Sequence, residues 1–362
     1  MLGTDLKSSP LNRIKPEVRA IDGYHLETHD SAVKLNQNES PFDVPDDLKR
    51  QILESVQARP WSRYPAPMPM DLVSALAQHV GWNPEGLIVC NGSNTLLQLV
   101  LAVSVGPGTP VVIPSPSFSL YGLYARIFGG NIISVDLAQG FTFDIPAISA
   151  AAVREKAHVM LFCSPHSPTG CTLSNEDLGS ILEETDALVL VDEAYGEFNR
   201  STAVDLLAEH ANLIVLKTLS KAFASAGIRI GYLLAHPELT REILKGKVPF
   251  DVNLFSHAAA LEILKHKDLF KERIAAICSE RDRVFKALQD TEGLSVYPSS
   301  ANFILFEVSE PKRVFNSLVE QGVLIRNVTG YPLLSRGLRV SIGTPEENDR
   351  FLSALKTALK ES

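Results

Sequence analysis

The amino-acid sequence predicts an α/β fold: a large domain with a mostly parallel seven-stranded sheet sandwiched by helices, followed by a smaller α+β domain. Three observations lead there. Between about residues 45 and 235, short β-rich runs alternate with helical segments. Several of those runs are apolar throughout, as strands covered on both faces must be. From about residue 255 the chain turns strongly helical and richer in Lys and Glu, with only a few strands among the helices.

Taken in order, residues 1–35 are polar, carry Pro10 and Pro16 and hold no sustained periodicity. They read as an N-terminal arm that packs with the small domain or a partner subunit. The large domain is expected over 36–250, with strands at 86–90 (GLIVC), 110–113 (PVVI), 131–136 (NIISVD), 158–163 (HVMLFC), 187–191 (ALVLV), 212–216 (NLIVL) and 228–234 (IRIGYLL). The small domain, over 251–362, is expected to begin with a helical stretch at 255–290. A strand at 302–307, a helix near 311–321, short strands near 323–326 and 338–342, and a final helix follow.

Composition narrows the function classes. The 362 residues suffice for two domains and a large core, and 45% hydrophobic with 21% charged residues is ordinary globular usage. A formal net charge of −8 argues against general nucleic-acid binding. The opening MLGTDLKSSPLNRIKP has no apolar core of a secretory signal, and no apolar stretch is long enough to span a membrane, so a cytoplasmic protein is expected. Cys90, Cys163, Cys171 and Cys278 form no C-x-x-C pair and have no zinc-type histidine spacing. Reduced, buried, structural thiols and no metal are the expectation.

The polar and glycine residues collect after the carboxyl ends of the expected strands, where open α/β sheets bind ligands. Asn91-Gly92-Ser93-Asn94-Thr95 opens a long helical run; Gly92 permits close backbone approach, Ser93 or Asn94 caps the helix, and its first N–H groups suit a phosphate. Phe118, in PSPSFSLY, offers either a stacking face or a core ring. Asp192 ends a buried strand, a costly place for a carboxylate unless it meets a positive partner. Tyr195, three residues on, is either a hydrogen-bond donor or a buried tyrosine. Lys221, in TLSKAFASAGIRIG, is ringed by small residues, a dry setting that lowers an amine's pKa and frees it for imine formation. Alone it reads as a surface lysine; Arg229, with Thr218 and Ser220, adds a set suited to gripping a phosphate.

Together these pieces resemble the fold-type I pyridoxal-phosphate aminotransferases (the aspartate aminotransferase-like fold), most closely the histidinol-phosphate aminotransferase branch. The resemblance runs through KLNQNESPF at 34–42, SRYPAP at 62–67, NGSNT at 91–95, PSPSFSLY, SPHSPTG at 164–170, VDEAY at 191–195 and TLSKAFASAGIRIG. It continues through ANFILF at 301–306, VLIRN at 323–327 and GLRVSIG at 337–343. It implies pyridoxal 5′-phosphate held as a Schiff base on Lys221, Asp192 against the pyridine nitrogen, Tyr195 near the ring hydroxyl and Phe118 on the ring. Gly92, Ser93, Asn94, Thr218, Ser220 and Arg229 would serve the cofactor phosphate. Tyr64 would reach that phosphate from the neighbouring subunit of a homodimer with shared active sites. Arg326 and Arg339 would bind the anionic end of the substrate, Asn38 would also face substrate, and Tyr24 would close the pocket.

One position departs from the family pattern. Ser167 stands where the family usually has an asparagine contacting the ring hydroxyl, and an altered proton affinity of the imine is expected with the reaction class retained through Tyr195. The activity implied is transamination, histidinol phosphate plus 2-oxoglutarate giving imidazole acetol phosphate plus glutamate. An aromatic-amino-acid aminotransferase and a threonine-phosphate decarboxylase are the alternatives.

Overall fold

The computed structural model describes residues 10–23 and 29–360, so Tyr24 lies outside the described residues. The strands in chain order are β1 (Val33–Lys34), β2 (Leu87–Cys90), β3 (Pro110–Ser115), β4 (Asn131–Asp136), β5 (Val159–Cys163), β6 (Leu188–Asp192) and β7 (Leu213–Thr218). They continue with β8 (Gly231–Ala235), β9 (Ser295–Val296), β10 (Phe303–Glu307), β11 (Val323–Leu324), β12 (Arg326–Asn327) and β13 (Gly337–Ser341).

The large sheet has seven strands in the order β2-β8-β7-β6-β5-β3-β4. Only β8 runs against its neighbours, pairing antiparallel with β2 and β7, while β3 to β7 pair in parallel. The inner strands β5 (VMLFC) and β7 (LIVLKT) are buried along their whole length, which is why their sequences lack a polar alternation. The edge strand β4 (NIISVD) is buried nowhere and carries Asn131, Ser134 and Asp136.

Four local expectations are corrected. The strand expected at 228–234 begins only at Gly231, because Arg229 has φ 60° and belongs to the preceding turn. A side chain at Gly231 would overlap the backbone nitrogen of Ser93, so β8 starts where glycine allows it to pass β2. Neither Ser93 nor Asn94 caps the helix Ser93–Ser104; Gly92 does, at φ 90° and with no side-chain bond, which leaves the first N–H groups open. The single strand near 323–326 is two, β11 and β12. The helical stretch 255–290 breaks at His266 (φ −105°, ψ 29°) into Leu254–Lys265 and Lys267–Gln289.

In the C-terminal region β12-β13-β10-β9 form an antiparallel sheet, and β11 pairs in parallel with β1. The N-terminal segment is thus stitched to this region: Leu35 N–H donates to Leu324 O at 2.7 Å, and Ser341 N–H to Leu35 O at 2.9 Å. Apolar side chains of both regions, among them Leu35, Phe162, Phe303 and Phe351, belong to one continuous core. All four cysteines are free. Cys90 and Cys163 are buried as expected, but Cys171, in the loop after β5, and Cys278, within the helix Lys267–Gln289, are only half-buried.

Behind the ends of β6 and β7 lies a buried ionic cluster. Lys217 Nζ is 2.8 Å from Glu193 Oε2 and 3.3 Å from Glu197 Oε1. Glu193 also accepts from Thr202 Oγ1 at 2.7 Å and Ala203 N–H at 2.5 Å. Burial works against the Lys217 charge, yet the two carboxylates outweigh it and hold its proton more firmly than in water. Removing one member of such a set leaves charge buried without a partner. Lys217→Ala is therefore expected to destabilise the fold by about 3–5 kcal/mol, read as a lower urea midpoint; a loss under about 1 kcal/mol would mean the cluster is solvated.

Candidate active site

A cleft of about 440 Å³ opens where β2, β5, β6 and β7 end, and its walls include Ser93, Asn94, Phe118, Asp192, Tyr195 and Lys221. Thr218, Ser220, Arg229, Ser167, Asn38, Arg326 and Arg339 line the same cleft. Residues from eight separate stretches of sequence therefore meet in one place.

Asp192 is the last residue of β6. It accepts a hydrogen bond from the Tyr121 hydroxyl at 2.9 Å and from Ala194 N–H at 3.0 Å. Neither partner carries charge. Burial pushes its carboxyl up to about 6, against the Tyr121 and Ala194 bonds and the distant pull of Lys221. A carboxylate so placed is incomplete without a cation.

Lys221 stands three residues past β7, and its Nζ donates to Gln37 O at 2.8 Å. Burial, then the charges of Arg339 and Arg229, lower it to about 8, with Glu39 pulling the other way. The amine is thus poised to give up its proton near neutrality, as a nucleophile or base must.

An anion cradle lies beside it. Arg229 Nη1 donates to Ser220 Oγ at 3.4 Å and to Ala226 O at 3.1 Å. Thr218 Oγ1 lies 2.9 Å from Ser220 Oγ. A Cβ on Gly92 would strike the Arg229 guanidinium, so only glycine lets the uncapped helix start meet that arginine. Open N–H groups, hydroxyls and a guanidinium together suit a phosphate.

The far wall holds two facing arginines. Arg326 and Arg339 are directly opposite in the β12–β13 ladder. Like charges in register repel, which an anionic ligand between them would relieve. Arg339 is buried; it donates to Ser167 Oγ and Asn36 O, each at 3.2 Å, and its guanidinium sits 4.9 Å from the centre of the Phe303 ring. Ser167, expected near a ring hydroxyl, is thereby engaged by Arg339. Tyr195 is buried, packs edge-on to Phe303 at 5.1 Å, and is pushed up to about 12 by burial against the pull of Arg339. Asn38, at φ 54°, donates from Nδ2 to the Tyr195 hydroxyl at 2.9 Å. Phe118 packs edge-on to Tyr121 at 5.5 Å with its ring at the cleft.

Among the described residues, two expected site residues do not line this cleft: Gly92, whose neighbours Ser93 and Asn94 do, and Tyr64. Tyr64 is 85% exposed, lies against Phe250 at 5.0 Å and does not line the cleft. Tyr24 lies outside the described residues.

The aminotransferase class I and II family model matches residues 30–355. The chain belongs to the class I and II aminotransferases. It is 41% identical to a histidinol-phosphate aminotransferase of Chlorobaculum tepidum over 95% of this chain and 99% of the other. A histidinol-phosphate aminotransferase of Chlorobaculum parvum is 42% identical over 95% of this chain and 98% of its own. The histidinol-phosphate aminotransferase of Sinorhizobium meliloti, solved with pyridoxal-5′-phosphate, superposes with a TM-score of 0.89 at 26% identity, covering 98% and 99% of the two chains. The aspartate aminotransferase-like, fold-type I architecture expected from the sequence is thus shared.

Within this aminotransferase, sequence reasoning missed Tyr121, Gln37, Asn36 and Ser341. Tyr121 had a local signal, since it follows Phe118 by one helical turn. The others are joined to the site by backbone or long-range bonds that no spacing reveals.

The lowered Lys221 generates a stability prediction. In the unfolded chain its amine titrates near 10.5 and in the folded chain near 8. Between those values the unfolded state binds more protons, so the penalty for burying Lys221 is complete below pH 8 and fades as pH rises toward 10.5. Lys221→Met is therefore expected to raise stability without added ligand by about 2 kcal/mol at pH 7. The advantage should shrink toward pH 10; urea unfolding of both proteins across that range checks it.

Proposed function

We propose that this aminotransferase binds pyridoxal 5′-phosphate at Lys221 and transfers an amino group from histidinol phosphate to 2-oxoglutarate. The observation that carries this reading is the presence of two separate anion sites in one cleft: the Gly92–Ser220–Arg229 cradle, and the facing pair Arg326 and Arg339. A phosphorylated cofactor and an anionic substrate need one each. The substrate class named for the relatives fits the second site, since guanidinium groups grip a phosphate or a carboxylate equally well. The same two arginines then serve the phosphate of the amino donor and a carboxylate of the oxo acid in turn.

The residues fit the cofactor. Asp192, a buried carboxylate whose described partners are uncharged, suits a protonated ring nitrogen. Phe118 suits the ring face, and the cradle suits the phosphate, with Ser93 and Asn94 at its helix start. Bound there, pyridoxal phosphate supplies a sink for the electrons of a broken Cα–H bond. Lys221 Nζ, lowered to about 8, takes and returns the Cα proton. Asp192 would keep positive charge on the ring nitrogen, and Tyr195 would serve the ring oxygen. Ser167, too short to replace the asparagine and engaged by Arg339, adjusts the arginine instead.

The homodimer belongs to the same proposal. Trp61 (66% exposed) packs on Phe255 (44%), and Tyr64 (85%) packs on Phe250 (40%), a run of large aromatic side chains open to solvent. Monomers rarely leave such a patch uncovered. A second copy covering it brings Tyr64 to the other subunit's phosphate cradle.

The decisive assay incubates the pyridoxal-phosphate-loaded protein with 2-oxoglutarate and one donor at a time. Glutamate is expected with histidinol phosphate, and Lys221→Ala should lower its rate by about 10³-fold or more. Glutamate from phenylalanine alone would make the enzyme an aromatic transaminase, and carbon dioxide from phosphothreonine would make it a decarboxylase. Tyr64→Phe is expected to weaken cofactor binding about tenfold. Mixing its subunits with Lys221→Ala subunits should rebuild sites of wild-type affinity, whereas no recovery on mixing would place Tyr64 in its own subunit's site.

A further inference from the structure

The hydrogen-bond network above Tyr195 has a polarity that can be read without seeing a hydrogen. Side-chain amides and hydroxyls are ambiguous, but a backbone N–H can only donate. Asn38 N–H donates to Ser341 Oγ at 2.8 Å. Among the described residues the Ser341 hydroxyl then has one acceptor for its own hydrogen, Asn38 Oδ1 at 3.0 Å. That fixes the amide: the atom facing Ser341 is oxygen, so the atom facing Tyr195 is Nδ2. Nδ2 has only hydrogens to offer, so the Tyr195 oxygen, 2.9 Å away, must accept. The tyrosine's own hydrogen is left over. Asn38 occupies an acceptor position of the hydroxyl, and Tyr195 lines the cleft, so the cleft is where its hydrogen can go.

The bonds are held rigidly. Asn38 and Ser341 are buried, Asn302 Nδ2 donates to Asn38 O at 3.0 Å, and Ser341 ends β13 in register with Phe303. Asn38 also sits at φ 54°, a conformation that asparagine tolerates better than most residues and that turns its side chain toward both partners.

We propose that Ser341 and Asn38 are positioning residues that force the Tyr195 hydroxyl to act as a hydrogen-bond donor into the cleft. This rests on the reading that the cleft holds pyridoxal phosphate. A hydroxyl donating to the cofactor's ring oxygen draws electron density from it, so the neighbouring Lys221 nitrogen holds its proton less tightly. Asn38→Asp reverses the relay, because a carboxylate in that place accepts the Tyr195 hydrogen and turns it away from the cleft. Ser341→Ala removes the donor that orients the amide, whereas Ser341→Thr keeps it.

The charged and titratable groups around Lys221 and Tyr195 are Arg339, Arg229, Glu39, Lys34, Asp192 and Cys163; Ser341→Ala leaves that set unchanged, while Asn38→Asp adds one carboxylate to it. The measurement is the pH midpoint of the visible absorbance of the pyridoxal-phosphate-loaded protein, with cofactor affinity measured alongside. Asn38→Asp and Ser341→Ala are expected to move the midpoint upward by about one pH unit, with affinity kept within about tenfold. Ser341→Thr should keep the wild-type value, and in a Tyr195→Phe background the uncharged change Ser341→Ala should no longer move it. An unmoved midpoint in both variants overturns the relay, and so does loss of the cofactor, because re-aiming one hydroxyl does not empty the site. A wild-type protein with no visible band after cofactor addition would instead overturn the reading of the cleft itself.

Discussion

Parallel strands set side by side bring a carboxylate and an amine into one dry place, and the rest of the molecule is arranged around that constraint. Asp192 and Lys221 leave neighbouring strands, and burial moves both toward neutrality, the acid up to about 6 and the amine down to about 8. Each is costly alone. Their placement holds because the strands beneath are buried along almost their whole length and because the Lys217 cluster fastens the two strand ends from behind. The cleft is therefore poised before any ligand enters, at the expense of folding stability.

The large sheet was legible in the sequence because its strands are buried on both faces, so GLIVC, HVMLFC and ALVLV have no competing interpretation as amphipathic helix. Errors fall where geometry rather than hydrophobicity decides. IRIGYLL reads as one strand, but Arg229 must turn left-handed to meet Gly92 and only Gly231 can pass Ser93. The helical stretch after residue 254 keeps its propensity through His266, and only packing bends it there. β1 and β11 are two residues each, below the length at which alternation can be read.

The site divides in the same way. Residues at strand ends declare themselves by being polar after an apolar run, as Asp192 and Lys221 do. Ser341 does not, since it is one small hydroxyl at the end of a short strand and reaches Asn38 across 303 positions. Ser167 was visible as a departure, but its bond to Arg339 follows only from how the C-terminal sheet approaches the large one. Tyr64 shows the limit of a single chain: its sequence context points to a phosphate, while its side chain stands in solvent against Phe250.

The pairing of β1 with β11 makes a lever of the segment that follows it. Residues 35–38 are bonded to Leu324, Arg339, Asn302 and Ser341, all in the C-terminal region, and the same segment offers the Gln37 carbonyl to Lys221. Any tilt of that region relative to the large sheet draws this carbonyl along the Lys221 nitrogen. The lysine thus registers, within a single bond length, the mechanical state of a sheet to which it does not itself belong.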